Sequence, residues 1–256
     1  MLAFVYDQSF DGLLTAIFEA WRLRKFPDIF LEPGRTPPLL VSELIEIESD
    51  PLKAGRVWAG LEKKLSALAL KQLLYAWLTE EPEAALLLLR YTRAVFSGVA
   101  ETNFAHPDIL GLRQTAFKVS REKEHLLQFV RFQKSKDGVY FAAVRPIYNA
   151  LPLVLDHFAD RFADQQWVIY DANRHYGFHY NLESIVEIDF YSPFDPQSGR
   201  LAEPELAEGE LVLQAAWQAY YESVSIPERK NPRLQRQYMP RRFWAYLTEK
   251  QNLGAD

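Results

Sequence analysis

The sequence predicts an α+β protein, and three patterns along the chain support this class. Two pairs of strand-like segments, each joined by a polar turn, flank a helix-like segment that starts near Leu151. Before them, apolar residues recur at helical spacing over about residues 50–125. After them, a basic segment with helix-capping residues lies close to the end of the chain. We therefore expect an antiparallel sheet made from two hairpins around a helix, with a mainly helical insertion and a helical C-terminus.

The first part of the chain is expected to hold one strand and then helices. Leu2–Tyr6 has the apolar run of a short buried strand, and Ser9 can cap the helix that follows it. Asp50 and Pro51 have the pattern of an N-cap and a first helical residue. Further helices are expected over about residues 68–79, over about residues 82–98 and after residue 107.

The two predicted hairpins define the sheet. The first pairs Gln128–Gln133 with Val139–Val144 across an Asp-Gly turn, which suits a tight hairpin. The second pairs Gln166–Tyr170 with His175–Tyr180. Pro152 is expected to open the helix between them, and this order predicts the antiparallel sheet with a helix on one face.

We expect a single domain over residues 1–256. It would contain a helical subregion over about residues 50–125, a hairpin–helix–hairpin core over about residues 126–182 and a basic helical C-terminal segment over about residues 226–250. Hydrophobic residues make up 48% of the chain, which is enough to form a substantial core.

Composition restricts the chemistry. The chain has no cysteine, which excludes disulfides, thiolate nucleophiles and cysteine-ligated zinc or iron–sulfur centres within it. No cofactor is expected. The start lacks the basic region of a signal peptide, and the longest apolar runs are too short to span a bilayer. We expect a cytoplasmic protein without a membrane partner.

The end of the chain is strongly basic. Between Ile226 and Lys250 there are seven lysines and arginines and two glutamates, whereas the whole chain has a net charge of −5. Asn231 and Pro232 have the pattern of an N-cap and a first helical residue, which predicts a short helix ending at Tyr238. Free amide groups at its start would add to an anion site.

Cations interleaved with aromatic rings are typical of nucleic-acid binding, because the cations contact phosphates and the rings stack on bases. Phosphate contacts are expected from Arg229, Lys230, Arg233, Arg236, Arg241 and Arg242, and stacking from Tyr238 or Trp244. Arg131, on the first predicted hairpin, is a further candidate. Two alternatives stay open: a solvated basic surface, or a structural role in which Arg241 or Arg242 fixes the C-terminal segment to the sheet through buried carboxylates.

Patterns for catalysis and metal binding are sparse. His175 and His179 would lie about 13 Å apart on a strand, too far to hold one ion, so no metal site is expected. The sequence has no nucleophile elbow, P-loop or dinucleotide fingerprint. Acids and histidines do cluster around the predicted hairpins, and His157, Asp164 and Asp171 are the candidates for acid–base work, with simple solvation as the alternative.

Several segments, spread in order over nearly the whole chain, carry a family resemblance. They are Phe4–Asp7, Ser9–Phe10, Gly12–Leu14, Phe129–Phe132, Leu151–Leu153, His157–Phe158, Arg161–Gln165 with Trp167, Asn231–Arg233, and Met239–Arg242 with Trp244. Together they resemble an uncharacterised bacterial family of probable DNA metabolism or repair proteins. Leu126 and Leu127 depart from its pattern, since members often have a basic residue and a methionine there.

The resemblance implies a partner and a context. Proteins of that family are similar to ones encoded beside a radical-SAM protein, and some relatives are fused to a domain that resembles uracil-DNA glycosylases. This chain is similar to the form without that fusion. We therefore expect a nucleic-acid-binding accessory protein, with DNA as its partner, that works with a radical-SAM protein in DNA repair or modification. A DNA-processing enzyme with an Asp/His site, and a partner-docking protein without DNA binding, are the alternatives.

Overall fold

The computed structural model describes residues 1–189 and 194–251, and it confirms the α+β class. The helices are α1 (Phe10–Leu23), α2 (Pro51–Glu62), α3 (Ala67–Trp77), α4 (Ala84–Phe96), α5 (Pro107–Phe129), α6 (Leu155–Arg161), α7 (Glu210–Ser223) and α8 (Pro232–Tyr238). The strands are β1 (Leu2–Val5), β2 (Ile29–Leu31), β3 (Glu43–Glu46), β4 (Gln133–Lys134), β5 (Tyr140–Val144), β6 (Trp167–Asp171), β7 (Tyr176–Tyr180) and β8 (Ile185–Ile188).

The chain divides into two compact units, Met1–Ser120 and Arg121–Asp256. The division falls within α5. The first unit contains a parallel sheet in the order β2-β1-β3, and the second contains a sheet in the order β4-β5-β6-β7-β8. That the whole chain forms a single domain stays a prediction.

The first unit is built around β1 and four complete helices. The predicted N-caps are confirmed: Ser9 Oγ accepts a hydrogen bond from the Gly12 amide, and Asp50 accepts from the Leu52 and Lys53 amides. Strands β2 and β3 were not predicted, because strands of three and four residues are too short to show a period. The core of this unit includes Phe4, Leu13, Ile17, Leu61, Leu73, Leu88, Tyr91, Ile109 and Leu112.

The sheet of the second unit is mixed, so the prediction of a purely antiparallel sheet is wrong. Both hairpins are present, since β4 pairs antiparallel with β5 and β6 pairs antiparallel with β7. The inner strands β5 and β6 pair in parallel, with Tyr140 opposite Trp167 and Val144 opposite Asp171. The segment between them contains α6, and it returns the chain to the starting end of β5, so β6 runs in the same direction as β5.

The first hairpin is shorter than predicted. Gln128–Gln133 was expected to be a strand, but α5 continues to Phe129 and β4 begins only at Gln133. Leu126 and Phe129 are both buried and extend the apolar stripe of the helix. A short apolar run cannot distinguish helix from strand until its neighbours are known. The second hairpin agrees with the prediction to within one residue at each strand end.

The C-terminal helix α8 forms where the sequence predicted it. Asn231 Oδ1 accepts a hydrogen bond of 3.0 Å from the Leu234 amide, and Pro232 is the first residue of α8. Pro240 precedes a 3-10 helix over Arg241–Tyr246. In the part of the chain that the structure describes, no helix is both long and apolar enough to cross a membrane.

Replacement of Gly177 by alanine is expected to destabilise the second unit. A Cβ at Gly177 in β7 would lie 2.8 Å from the Ile169 carbonyl oxygen and 3.0 Å from a Tyr170 ring carbon. We expect G177A to lower the free energy of unfolding by about 1–3 kcal/mol, because backbone must shift to relieve the clash. Urea unfolding measures this value. The control is G55A in α2, where a Cβ meets nothing within 4 Å, and wild-type stability of G177A would contradict the close approach.

Candidate nucleic-acid interface

A groove with a volume of about 840 Å³ lies in the second unit, between the end of α5, the C-terminal part of α7 and α8. Its lining combines two tyrosine rings, Tyr221 and Tyr238, with three cations, Arg229, Lys230 and Lys250. Glu222 also contributes to the wall. Concave surface, aromatic rings and positive charge therefore occur together at this place.

The orientation of α8 separates two sets of side chains. Leu234, Gln235 and Tyr238 line the groove, whereas Arg233 and Arg236 are exposed and do not line it. This follows from helical spacing, because residues three or four apart share a face. We call Arg233 and Arg236 the outer arginines.

A hydrogen bond fixes α8 against α7. Gln235 Nε2 donates to the Tyr221 hydroxyl at 3.2 Å. Gln235 and Tyr221 both line the groove, so this bond holds its two helical walls together.

Among the described residues, the basic side chains on and just before α8 have no carboxylate counterion. Within residues 1–189 and 194–251, no carboxylate lies within 4.0 Å of the charged nitrogens of Arg229, Lys230, Arg233 or Arg236. All four residues are exposed. Their charge is therefore available to an anion from solution, such as a phosphate.

Lys250 is a groove residue that the sequence did not reveal. Only 8% of it is exposed, and its ammonium lies 4.7 Å from the ring centre of Tyr221 and 5.3 Å from that of Trp244. Ring faces stabilise a cation in this position. Trp244 is half-buried and donates its indole N–H to the Met239 carbonyl, whereas Tyr238 is 67% exposed. Tyr238 is thus the more accessible of the two predicted stacking residues.

Arg242 is held by a buried carboxylate, as one of the sequence alternatives proposed. Its guanidinium donates to Glu122, which is 2% exposed on α5, and its Nη2 lies 3.4 Å from His125 Nδ1. The Ile147 amide donates to the other oxygen of Glu122 at 2.7 Å. The attachment is to a helix, although the sequence analysis expected the sheet. Arg241 is exposed, with its guanidinium 5.6 Å from the Trp244 ring centre.

The pKa of Glu122 reflects these contacts. Burial by itself raises it, but the hydrogen bond with His125, the hydrogen bond from the Ile147 amide and the charge of Arg242 lower it by more. The net pKa is below the ordinary value of 4.5. Glu122 is therefore charged in the folded protein and depends on its partners.

Arg131 also forms an ion pair with a buried carboxylate. It lies between α5 and β4, not on a strand as the sequence analysis expected, and its Nη2 donates to Glu249 Oε1 at 2.8 Å. The indole N–H of Trp217 donates to the other oxygen of Glu249 at 3.0 Å. Burial raises the pKa of Glu249, and the hydrogen bonds from Arg131 and Trp217 outweigh that effect and lower it.

The candidate acid–base residues do not form a common site. Asp171 is fully buried, where it accepts hydrogen bonds from the Asn173 and Arg174 amides and pairs with the Arg174 guanidinium at 3.0 Å. Burial raises its pKa, although these contacts partly oppose the rise. Asp171 is the last residue of β6, directly before the β6–β7 turn. His157 and Asp164 are exposed on and after α6, and no hydrogen bond joins any two of the three candidates among the described residues.

Over the described ranges, 1–189 and 194–251, no group of three or more histidine, cysteine, aspartate or glutamate residues is placed to hold a metal ion. The groove is characterised by its cations and its tyrosine rings.

Removal of Arg242 is expected to cost more stability than removal of an outer arginine. R242A leaves the buried Glu122 charge without its cation, and we expect the free energy of unfolding at pH 7 to fall by about 3 kcal/mol. Urea unfolding measures the change. R236A removes the same side chain from an exposed position and is the matched control, with an unchanged midpoint. Equal midpoints for the two variants would contradict the role of the ion pair.

The stability difference between wild type and R242A is expected to depend on pH. Because the folded pKa of Glu122 is lowered, its contribution is complete above the ordinary value of 4.5 and is lost as the pH falls through the folded pKa. The gap between R242A and wild type should therefore shrink as the pH is lowered below that value. Unfolding curves over a pH series test this, and a gap that widened in acid would contradict it.

The stretch of the chain that matches a known family contains most of this site. A model described as a domain of unknown function, DUF4130, matches residues 82–249, which include α7, α8 and the Glu122–Arg242 pair. No curated protein matches the chain. Because the matched stretch is more than half of the sequence, the chain belongs to the DUF4130 family.

Proposed function

We propose that this protein binds nucleic acid, with DNA as its partner, through the groove and the outer arginines. The observation that carries the proposal is a set of exposed cations, without a carboxylate partner among the described residues, beside the exposed Tyr238. Arg229 and Lys230 at the groove and the outer arginines on the far side of α8 can contact phosphates in succession along a strand. Lys250 adds positive charge at the wall formed with Tyr221.

In this proposal the arginines have two different tasks. Arg242 and Arg131 hold the C-terminal segment through Glu122 and Glu249, so they position the interface instead of contacting the ligand. Arg241 remains at its edge as a further phosphate contact. This division revises the sequence hypothesis, which gave all of these arginines the same role.

An unpaired base is the expected contact of Tyr238. Its ring is 67% exposed at the groove, and an exposed ring can stack on a base that is not covered by its neighbours in a duplex. We therefore propose single-stranded DNA, or a strand displaced from a duplex, as the preferred form.

The cellular role that we propose rests on the family resemblance. The protein would act in the cytoplasm as an accessory protein in DNA repair or modification, together with a radical-SAM protein. Such a partner would supply the iron–sulfur chemistry that a chain without cysteine cannot provide. The present chain would supply substrate binding.

A second candidate function is docking to a protein partner. The helix α7 exposes Leu211, Val212, Tyr220 and the adjoining Val224, each at least half accessible to solvent. Apolar side chains concentrated in this way mark interaction surfaces. Leu211, Val212 and Tyr220 do not line the groove, so variants at these three residues can test docking separately from DNA binding. For the enzyme alternative, neither His157 nor Asp164 has a hydrogen-bond partner in the described part of the chain that would prepare it for catalysis.

Fluorescence anisotropy of labelled single-stranded and duplex DNA over a salt series tests the proposal. We expect tighter binding of the single strand and a slope of log affinity against log salt of about −0.7 for each phosphate contacted. R229A/K230A and R233A/R236A should each weaken binding about tenfold at low salt. Each double variant should also make the slope less negative by about 1.4. The physical reason is the loss of two phosphate contacts in each variant.

The matched control is K63A/K64A, which removes two exposed cations from the first unit and should leave DNA affinity unchanged. Equal losses in all three double variants would mean that only net charge matters, which would contradict a localised interface. Absence of binding by wild type at low salt would overturn the proposal and favour docking.

A further inference from the structure

A second pocket, with a volume of about 800 Å³, lies on another face of α7 in the same unit. Four of its residues, Glu210, Leu213, Gln214 and Trp217, recur at intervals of three and four, so they form one stripe along the helix. We call this space the α7 pocket. Glu210, Leu213, Gln214 and Trp217 were not among the site residues that the sequence analysis named.

The carboxylate of Glu210 is the unusual group in this pocket. The residue is 8% exposed, and Gln214 Nε2 donates to its Oε1 at 3.0 Å. Among the residues that the structure describes, no cation lies within ion-pair distance of it. Buried carboxylates normally have a charged partner, because desolvation of an unpaired charge is costly. The first turn of α7 offsets part of this cost through the helix dipole. A ligand with N–H donors would offset more.

The opposite wall of the α7 pocket is aromatic. Phe132, Phe158 and Phe162 contact one another, with ring centres 5.4 Å apart for Phe132 and Phe162 and 5.8 Å apart for Phe132 and Phe158. On the α7 side, the Trp217 ring is 42% exposed and is held by its hydrogen bond to Glu249. Aromatic rings that line a pocket suit a flat ligand, because it can pack on their faces and edges.

Two arginines complete the lining. Arg161 is exposed, and Arg131 has a buried Nε without a hydrogen-bond partner in the described ranges. Exposed positive charge beside an aromatic cavity suits a flat ligand that carries a phosphate. The pocket thus offers a carboxylate and an amide for one edge of a ring, aromatic side chains for its faces and the exposed Arg161 for an anionic group.

We propose that the α7 pocket binds a guanine nucleotide, with Glu210 and Gln214 recognising the edge of the base. Guanine carries two adjacent donors, the N1–H and the 2-amino group, which match the two oxygens of a carboxylate. Its neighbouring O6 can accept from the Gln214 amide. Thymine presents one N–H between two carbonyls, and these oxygens would be repelled by Glu210. The nucleotide is either free or part of a strand, and the strand-borne case rests on the proposed function.

Titration with single nucleotides tests the pocket without requiring the groove. Isothermal calorimetry and saturation-transfer NMR with dGMP, dAMP, dCMP and dTMP should show a preference for dGMP over dTMP of about tenfold or more. E210Q is nearly isosteric and should weaken dGMP binding about tenfold, because it removes charge-assisted hydrogen bonds. E208Q makes the same change at a nearby exposed residue and should bind like wild type, with folding of both variants checked by circular dichroism.

Fluorescence anisotropy with single-stranded DNA distinguishes a free guanine nucleotide from a guanine within a strand. A guanine-containing strand that binds more tightly than oligo-dT, with the preference lost in E210Q, supports a base from a strand. Binding of dGMP without such a preference supports a free nucleotide. If strands do not bind and dGMP does, the proposed function fails and the pocket assignment stands. If dGMP shows no binding and guanine content has no effect on strand affinity, the assignment is overturned, even when the groove binds DNA.

Discussion

The ion pair between Arg242 and Glu122 is the contact on which the C-terminal part of the second unit depends. Glu122 is almost fully buried on α5, so its charge requires a cation, and among the described lysines and arginines only Arg242 lies within ion-pair distance of it. This pair holds the 3-10 helix whose Phe243 packs against His125 and Phe129. The pair therefore also helps to hold the residues that follow, Glu249 and Lys250, in position beside α7.

The cations of the basic end fall into two groups, those that pair with a buried carboxylate and those that are exposed to solvent. Arginine side chains that meet a buried carboxylate, at Glu122 and Glu249, are used to hold the fold together. The cations on and before α8 point to solvent and have no such partner among the described residues, so they add to the field around the groove. The same residue type thus has a structural or a surface role according to whether a desolvated acid lies within reach.

The helix α7 connects the groove with the α7 pocket. Tyr221 near its C-terminus forms part of the groove wall, whereas Glu210, Gln214 and Trp217 line the pocket. The hydrogen bonds of Trp217 and Arg131 to Glu249 link the pocket to the C-terminal segment, and the next residue, Lys250, lines the groove. A strand in the groove and a base in the pocket would therefore contact one shared framework of helices.

The sequence by itself determined the helices with clear caps, such as α2 and α8, and both hairpins, because caps, turn residues and periodicity act over a few neighbours. It also identified the basic end and the option that Arg242 is structural. Only the tertiary structure decided the parallel pairing of β5 with β6, the extension of α5 to Phe129, and which arginines meet buried acids. Glu122 and Arg242 are far apart in sequence, as are Glu249 and Arg131, and no local pattern encodes a contact between distant residues. For the same reason, the sequence could not show that Lys250 lines the groove or that Glu210, Gln214 and Trp217 line a pocket, since burial depends on what packs nearby.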